Sequence, residues 1–240
     1  MSKTVIATYF WQPDQGSKFA HAYTSDDVRR LQTMVSRNLT IPHEFVVITD
    51  KPEVFAHDRT LRAVRIDRTT RVPGTCFVRL MTFSPYAKDT LGERVLQIDL
   101  DTVIVGNLDH LVSRNEELVL WRNPSRIPWD KPLKPGRPYY NTSLLLHKTG
   151  TYTALWDYFD PKDPGCRDDQ WWISEVLGGD MPYFDGEKDG VYRLGREDTP
   201  GSGVNGTLPA NACLVTFPGS DGKATPSVMA ANPWIAEHRV

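Results

Sequence analysis

Arg94-Val95-Leu96-Gln97-Ile98-Asp99-Leu100-Asp101-Thr102-Val103-Ile104-Val105-Gly106-Asn107-Leu108 starts as an apolar strand and then meets two carboxylates. On extended backbone alternate side chains share a face, so Asp99 and Asp101 point one way while Ile98 and Leu100 pack on the other. Two like charges beside an apolar strand raise each other's pKa unless a cation sits between them. Mg²⁺ and Mn²⁺ prefer oxygen ligands and are commonly held by one or two carboxylates together with phosphate oxygens. Position adds to the argument, since ligands of open α/β sheets bind beyond the carboxyl ends of the strands. The plain alternative is a pair of solvated turn acids, but a strand this apolar needs no surface turn at its end.

Upstream, Val5-Ile6-Ala7-Thr8-Tyr9-Phe10 reads as a buried first strand. Val28, Leu31, Met34 and Val35 then fall on one side of an amphipathic helix, with Thr24 or Ser25 as its N-cap. Phe45–Thr49 and Leu61–Ile66 follow as strands, and a short helix is expected over Phe77–Tyr86. Strand, helix and strand in close succession make a βαβ unit, which comes with a parallel sheet. The first hundred residues therefore predict an open, Rossmann-like α/β half.

Downstream, Arg122 to Pro138 holds five prolines and five basic residues against the single acid Asp130. Proline at that density excludes helix and central strand, so the segment predicts an irregular excursion. With Trp121 and Trp129 it is a candidate acceptor or lid loop. Tyr140–Leu146 returns to strand, and Thr153–Phe159 and Asp168–Leu177 predict helices. Residues 180–211 are rich in Gly and Pro and show little periodicity, and Ala212–Phe217 is the last expected strand.

The chain has 240 residues, enough for one well-buried α/β domain, and a formal net charge of -2, which gives no overall attraction to nucleic acid or anionic membrane. Its start runs directly into a strand, and no apolar run has the length of a membrane span. Cys76, Cys166 and Cys213 lack metal-ligand spacing, and the six histidines are scattered, His147 among them. These features fit free thiols and a cytoplasmic location. The expected organisation is one domain over residues 1–240, with a nucleotide-binding half at 1–110 and an acceptor-side half at 111–240.

The Leu96–Leu108 block resembles the "LYLDADTVVLGNL" block of glycosyltransferase family 8, the family of glycogenin and the bacterial lipopolysaccharide galactosyltransferases. Phe77-Val78-Arg79-Leu80 is similar to the helix that precedes that block. Tyr140-Asn141-Thr142-Ser143-Leu144-Leu145-Leu146 resembles its "YFNTGVLLL" strand, and Asp169-Gln170 its Asp-Gln pair. Val215-Thr216-Phe217-Pro218-Gly219 falls where the family has its "H-x-x-G-x-x-K" end. The resemblance implies a GT-A fold, with a mixed, mostly parallel central sheet flanked by helices. It also implies a metal-dependent transfer from a nucleotide-sugar, UDP-linked in the first instance, to a glycan, lipid-linked or protein acceptor, with retention of configuration. On this reading Asp99 and Asp101 hold Mn²⁺ or Mg²⁺ on the donor's diphosphate, and Arg79 and Lys223 add cationic donors. Thr8 and Tyr9 lie where the nucleoside is held. Asn141 and Gln170 fix sugar hydroxyls, and Asp169 faces the reacting carbon. The family's metal-ligand histidine falls at Thr216, so the third protein ligand is replaced by water or by Asp221.

Two other readings stand beside this one. A haloacid-dehalogenase-like phosphatase also ends a strand in D-x-D, but its motif continues Gly-Thr and lies on the first strand, whereas Thr102 follows Asp101 directly. A sugar-nucleotide-binding module that has lost catalysis with its histidine would bind without turnover.

Overall fold

The computed structural model describes residues 3–11, 23–66, 76–123, 138–162, 165–195, 203–217 and 225–239. Lys223, Asp221 and Trp129 lie outside them. The described strands are β1 (Thr4–Phe10), β2 (His43–Thr49), β3 (Arg62–Arg65), β4 (Arg94–Ile98), β5 (Thr102–Ile104), β6 (Leu118–Arg122), β7 (Tyr140–Lys148), β8 (Tyr183–Phe184), β9 (Val191–Arg193) and β10 (Leu214–Thr216). The α-helices are α1 (Ser25–Asn38), α2 (Ala87–Leu91), α3 (Asp109–Val112), α4 (Ala154–Asp157), α5 (Asp169–Leu177), α6 (Gly186–Asp189), α7 (Pro226–Ala231) and α8 (Trp234–His238).

Seven strands form the central sheet in the order β3-β2-β1-β4-β7-β6-β8, and β5-β10-β9 form a small second sheet. β1, β2, β3 and β4 are mutually parallel, while β7 runs against both β4 and β6. The result is the mixed, mostly parallel α/β sheet that the sequence predicts. The chain order 3-2-1-4 reverses direction between β1 and β4, and the crevice at such a switch point is where open sheets hold their ligands. Thr8 and Tyr9 close β1 there, and Asp99 follows the last residue of β4.

Both faces of the sheet are covered. Ile6, Phe45, Val47, Leu96 and Ile98 pack with Val28, Leu31, Met34 and Val35 of α1 on one side. Val5, Ala7, Tyr9, Val46, Ile48 and Val95 pack with Phe77, Leu80, Phe83, Leu155 and Ile173 on the other. Along β1, β2 and β4 the apolar residues alternate between the two clusters, as a pleat with period two demands. The helix face that the 3.6-residue period picks out is the face that α1 buries, at about 1.5–3 kcal/mol for each fully buried side chain.

Several local expectations differ from the structure. Cys76–Phe83 is a 3₁₀ helix, and only Ala87–Leu91 beyond it is α-helical. Phe77, Leu80 and Phe83 recur every third residue, which suits three residues per turn, and Pro85 disfavours α conformation at Ser84. The helix expected over Thr153–Phe159 contracts to α4. Residues 180–211 are not irregular throughout: β8, α6 and β9 lie within them. Elements of two to four residues are too short to show a period, and β9 is held by its pairing to β10. Trp121 belongs to β6 rather than to a loop, and it is buried in the core.

His147 is fully buried on β7, its ring beside Phe83 with centroids 5.0 Å apart, and burial pushes its pKa down to about 4. A histidine held neutral in the folded state binds its proton less readily than the unfolded chain does. Stability is therefore expected to fall as pH drops from the unfolded value near 6.5 towards 4, by about 3 kcal/mol, and then to level off for this group. Urea unfolding of His147→Leu against the native protein at pH 7 and pH 4.5 checks this. The variant should lose much less of its stability across that interval.

Candidate active site

The acidic pair lies in the connection from β4 to β5. Asp99 continues the ladder by one bond, its N–H donating to the Ser143 carbonyl at 2.9 Å. Ile98 and Leu100 are buried in the core, while Asp99 and Asp101 stay partly open. Alternation thus carries past the last strand residue, as the sequence predicts. The Phe217 N–H donates to the Asp101 carbonyl at 2.8 Å, which brings the end of β10 against the pair. Thr216 is buried there, opposite Thr102 and Arg193.

Arg79 binds the pair to the rest of the site. Its Nη1 donates to Asp99 Oδ2 at 3.0 Å and to Thr142 Oγ1 at 2.9 Å, and its Nε stands 3.6 Å from Asp169 Oδ2. Thr142 Oγ1 in turn donates to Asp169 Oδ2 at 2.9 Å. Four residues from the 3₁₀ helix, the β4 end, β7 and α5 therefore share one polar network. Burial alone would favour loss of the Arg79 proton, but Asp169 and Asp99 hold the guanidinium firmly charged. Asp169, only 1% exposed, is pushed up to about 6, by burial first and despite Arg79. Asp168 caps α5 by accepting from the Trp171 N–H at 2.9 Å, so the next residue, Asp169, is free to turn inward.

Asp101 is pushed up to about 7, by burial and then by the Asp99 charge. Its Oδ1 is buried with no hydrogen-bond partner among the described residues. A buried, unpartnered carboxylate oxygen beside a second carboxylate fits a hard divalent cation. Among the described residues no group of three His, Cys, Asp or Glu surrounds a common point. Two carboxylates of this kind can share a cation with oxygens of a bound ligand.

The other sequence-derived residues are placed as follows. Thr8 is fully buried, its hydroxyl without a partner among the described residues. Tyr9 is a core aromatic whose hydroxyl donates to the Arg79 carbonyl at 3.3 Å, so its ring supports Arg79 from below. Asn141 sits half-buried at the start of β7, its Oδ1 accepting from the Ser143 N–H at 2.8 Å. Gln170 is half-buried beside Asp169 on α5, outside the hydrogen-bonded network. The neighbouring tryptophans divide: Trp172 packs on the core and donates to the Leu155 carbonyl at 2.8 Å, whereas Trp171 reaches Glu175 at 3.0 Å. Sequence reasoning missed Thr142 as a polar link. Thr142 lay inside a recognised block, but nothing in that block marked it as the link between Arg79 and Asp169.

The fold and the polar crevice at its switch point place this chain in the architecture of the GT-A glycosyltransferases. No protein-family model matches the sequence, and no curated protein matches it. Among solved structures, the galactosyltransferase LgtC, in complex with donor and acceptor sugar analogs, superposes with a TM-score of 0.58 at 13% identity, over 97% of this chain and 92% of LgtC. An active-site mutant of LgtC gives 0.55 over the same shares. The glycosyltransferase GlyE of Streptococcus pneumoniae TIGR4 gives 0.52 at 15% identity, over 78% of this chain and 46% of GlyE. At these identities the likeness establishes a shared fold.

Proposed function

We propose that this chain is a metal-dependent glycosyltransferase that takes its sugar from a nucleoside-diphosphate donor, UDP-linked in the first instance, and transfers it with retention of configuration. The observation that carries the reading is the carboxylate pair at the switch point, with Asp101 Oδ1 buried and unpartnered among the described residues beside a fixed arginine. The shared fold supports it, since LgtC is described with both a donor and an acceptor sugar analog.

In this reading Asp99 and Asp101 hold Mn²⁺ or Mg²⁺ against the donor's diphosphate. The ion supplies charge neutralisation for the departing nucleoside diphosphate. Arg79, already anchored to Asp99, Thr142 and Asp169, presents a pre-oriented cation to the same phosphates, so little reorganisation is needed as charge develops. Asp169 lies too deep to touch a sugar in this conformation, and its role is to keep Arg79 charged and in place. Gln170 and Asn141 remain half-open at the crevice and are the amides available to sugar hydroxyls. Thr8 supports the nucleoside side of the crevice from the end of β1. Lys223 keeps its role as a second cationic donor to phosphate. The acceptor half is assigned to residues 111–240. The phosphatase motif lies at the end of the first strand, whereas Asp99 follows β4, which weighs against that alternative.

Calorimetric titration of UDP, GDP, CMP and a simple phosphate ester, each with Mn²⁺ and with chelator, tests the proposal. One nucleoside diphosphate should bind only when Mn²⁺ is present. Absence of nucleotide binding under every condition overturns it. Binding of the donor sugar without release of nucleoside diphosphate, across a panel of acceptors, would instead indicate the module without turnover.

A further inference from the structure

β7 does not run regularly past the site. Leu120 of β6 pairs with Leu145, and the next residue, Trp121, pairs with Asn141, so Thr142, Ser143 and Leu144 bulge out of that ladder. A bulge beside a site re-aims the side chains within it. Here it frees Thr142 from β6, while β4 keeps hold of the same stretch. Ile98 pairs with Leu144, and the Asp99 N–H donates to the Ser143 carbonyl at 2.9 Å. We propose that Thr142 is a positioning residue for the donor's diphosphate, acting through Arg79: its hydroxyl, delivered by the bulge, fixes the plane of the guanidinium that meets the phosphates. This rests on the glycosyltransferase reading above.

The hydrogen bonds divide the work. Arg79 Nη1 donates to Asp99 Oδ2 at 3.0 Å and to Thr142 Oγ1 at 2.9 Å, which uses both of its N–H groups. One such bond would act as a pivot, whereas two from the same nitrogen of a rigid fork stop it turning. Nη2 takes part in neither bond, and the side chain keeps 15% of its surface exposed. The Thr142 proton is committed as well, since Oγ1 donates to Asp169 Oδ2 at 2.9 Å. Arg79 Nε stands 3.6 Å from that same oxygen, too far for a hydrogen bond, so the hydroxyl is the bonded link between the two charged groups. A hydroxyl accepts and donates at one atom, which neither an ammonium nor a carboxylate does.

Thr142 is itself held in place. It is fully buried, and its carbonyl accepts from Nε2 of Gln97, a buried residue of β4, at 3.3 Å. The strut therefore runs from the core of the sheet through Thr142 to Arg79 and Asp169. A guanidinium that turns freely loses entropy when it closes on a diphosphate, and one already held loses less.

The test uses the full chain with Mn²⁺ alone, followed by the electron paramagnetic resonance signal of the free ion, and with Mn²⁺ plus UDP or inorganic pyrophosphate, followed by calorimetry. Thr142→Val keeps the branched shape without the hydroxyl, Thr142→Ala removes both, and Thr142→Ser keeps the hydroxyl. Without the hydroxyl, UDP and pyrophosphate should bind about tenfold more weakly, while Mn²⁺ alone stays within about twofold of the unmodified protein. Thr142→Ser should recover most of the loss. In an Arg79→Lys background, which keeps a charge but not the fork, Thr142→Val should cost nothing further. Native UDP affinity in Thr142→Val and Thr142→Ala, alongside weaker binding by Arg79→Lys, overturns the role of Thr142 and leaves the glycosyltransferase reading standing. Equal weakening of Mn²⁺ alone and of UDP, or no recovery in Thr142→Ser, also overturns it, because looser packing then explains the effect. A further loss of comparable size in the Arg79→Lys background overturns the route through Arg79. Absence of UDP and pyrophosphate binding by the unmodified protein with Mn²⁺ removes the glycosyltransferase reading and this inference with it.

Discussion

Asp101→Asn is expected to abolish Mn²⁺-dependent nucleotide binding and to lower turnover by roughly a thousandfold, the scale seen when one group that stabilises developing charge is removed. The same variant should melt no lower than the native protein in chelator. The carboxylate it replaces is held well above its ordinary pKa by burial and by Asp99, so the substitution removes a like charge that the fold carries at a cost. Loss of function with stability retained is the signature of a group kept for its ligand. Metal-dependent binding and full turnover in this variant would eliminate the cation site.

Arg79→Met should have the opposite balance, with a large effect on the fold itself. Arg79 is 15% exposed, Asp99 16% and Asp169 1%, so removing the guanidinium strands two poorly solvated carboxylates. Breaking such a pair from one side costs about 3–5 kcal/mol. The pH dependence identifies the cause. Asp169 sits near 6 even with Arg79 present, because burial raises it, and without the arginine it rises further. A raised carboxylate stabilises the folded state relative to the ionised form at low pH and loses that benefit as pH rises through its folded value. The penalty in Arg79→Met should therefore be near its full size at pH 8 and much smaller at pH 5, as read by urea unfolding at both. A penalty equal at the two pH values would assign it to lost packing of the arginine's stem instead.

Both predictions concern one network, and the sequence revealed its parts unevenly. Asp99 and Asp101 stood out because they end an apolar run, and an unfavourable local arrangement there calls for a partner. Arg79 and Asp169 were legible only through resemblance. By themselves an arginine on a short helix and an aspartate at the start of another are ordinary surface residues. Their meeting at Thr142 depends on β7 entering the sheet antiparallel to β4, which no local pattern reports. Tyr9 shows the reverse case. It is at the end of β1 as expected, but the pleat turns its ring into the core under Arg79.

The missed elements have the same origin. β5 and β9 are three residues each and stand because they pair with β10, the strand of that sheet that the sequence predicts. A strand that short buries too little of itself to carry a recognisable pattern, and its stability is a property of the sheet.

What the sequence determined by itself was the α/β class, the βαβ start, the burial face of α1, the core strand β4 and the acidic pair beyond it. All of these are periodic or composition-driven, and the physics that sets them acts within one element. Tertiary structure alone decided the strand order that opens a crevice between β1 and β4 and the packing of Arg79 between Asp99 and Asp169. Those contacts join residues far apart in the chain. They are selected by the way two core faces close on one sheet, where burial of many apolar side chains outweighs the cost of bringing a few charges together.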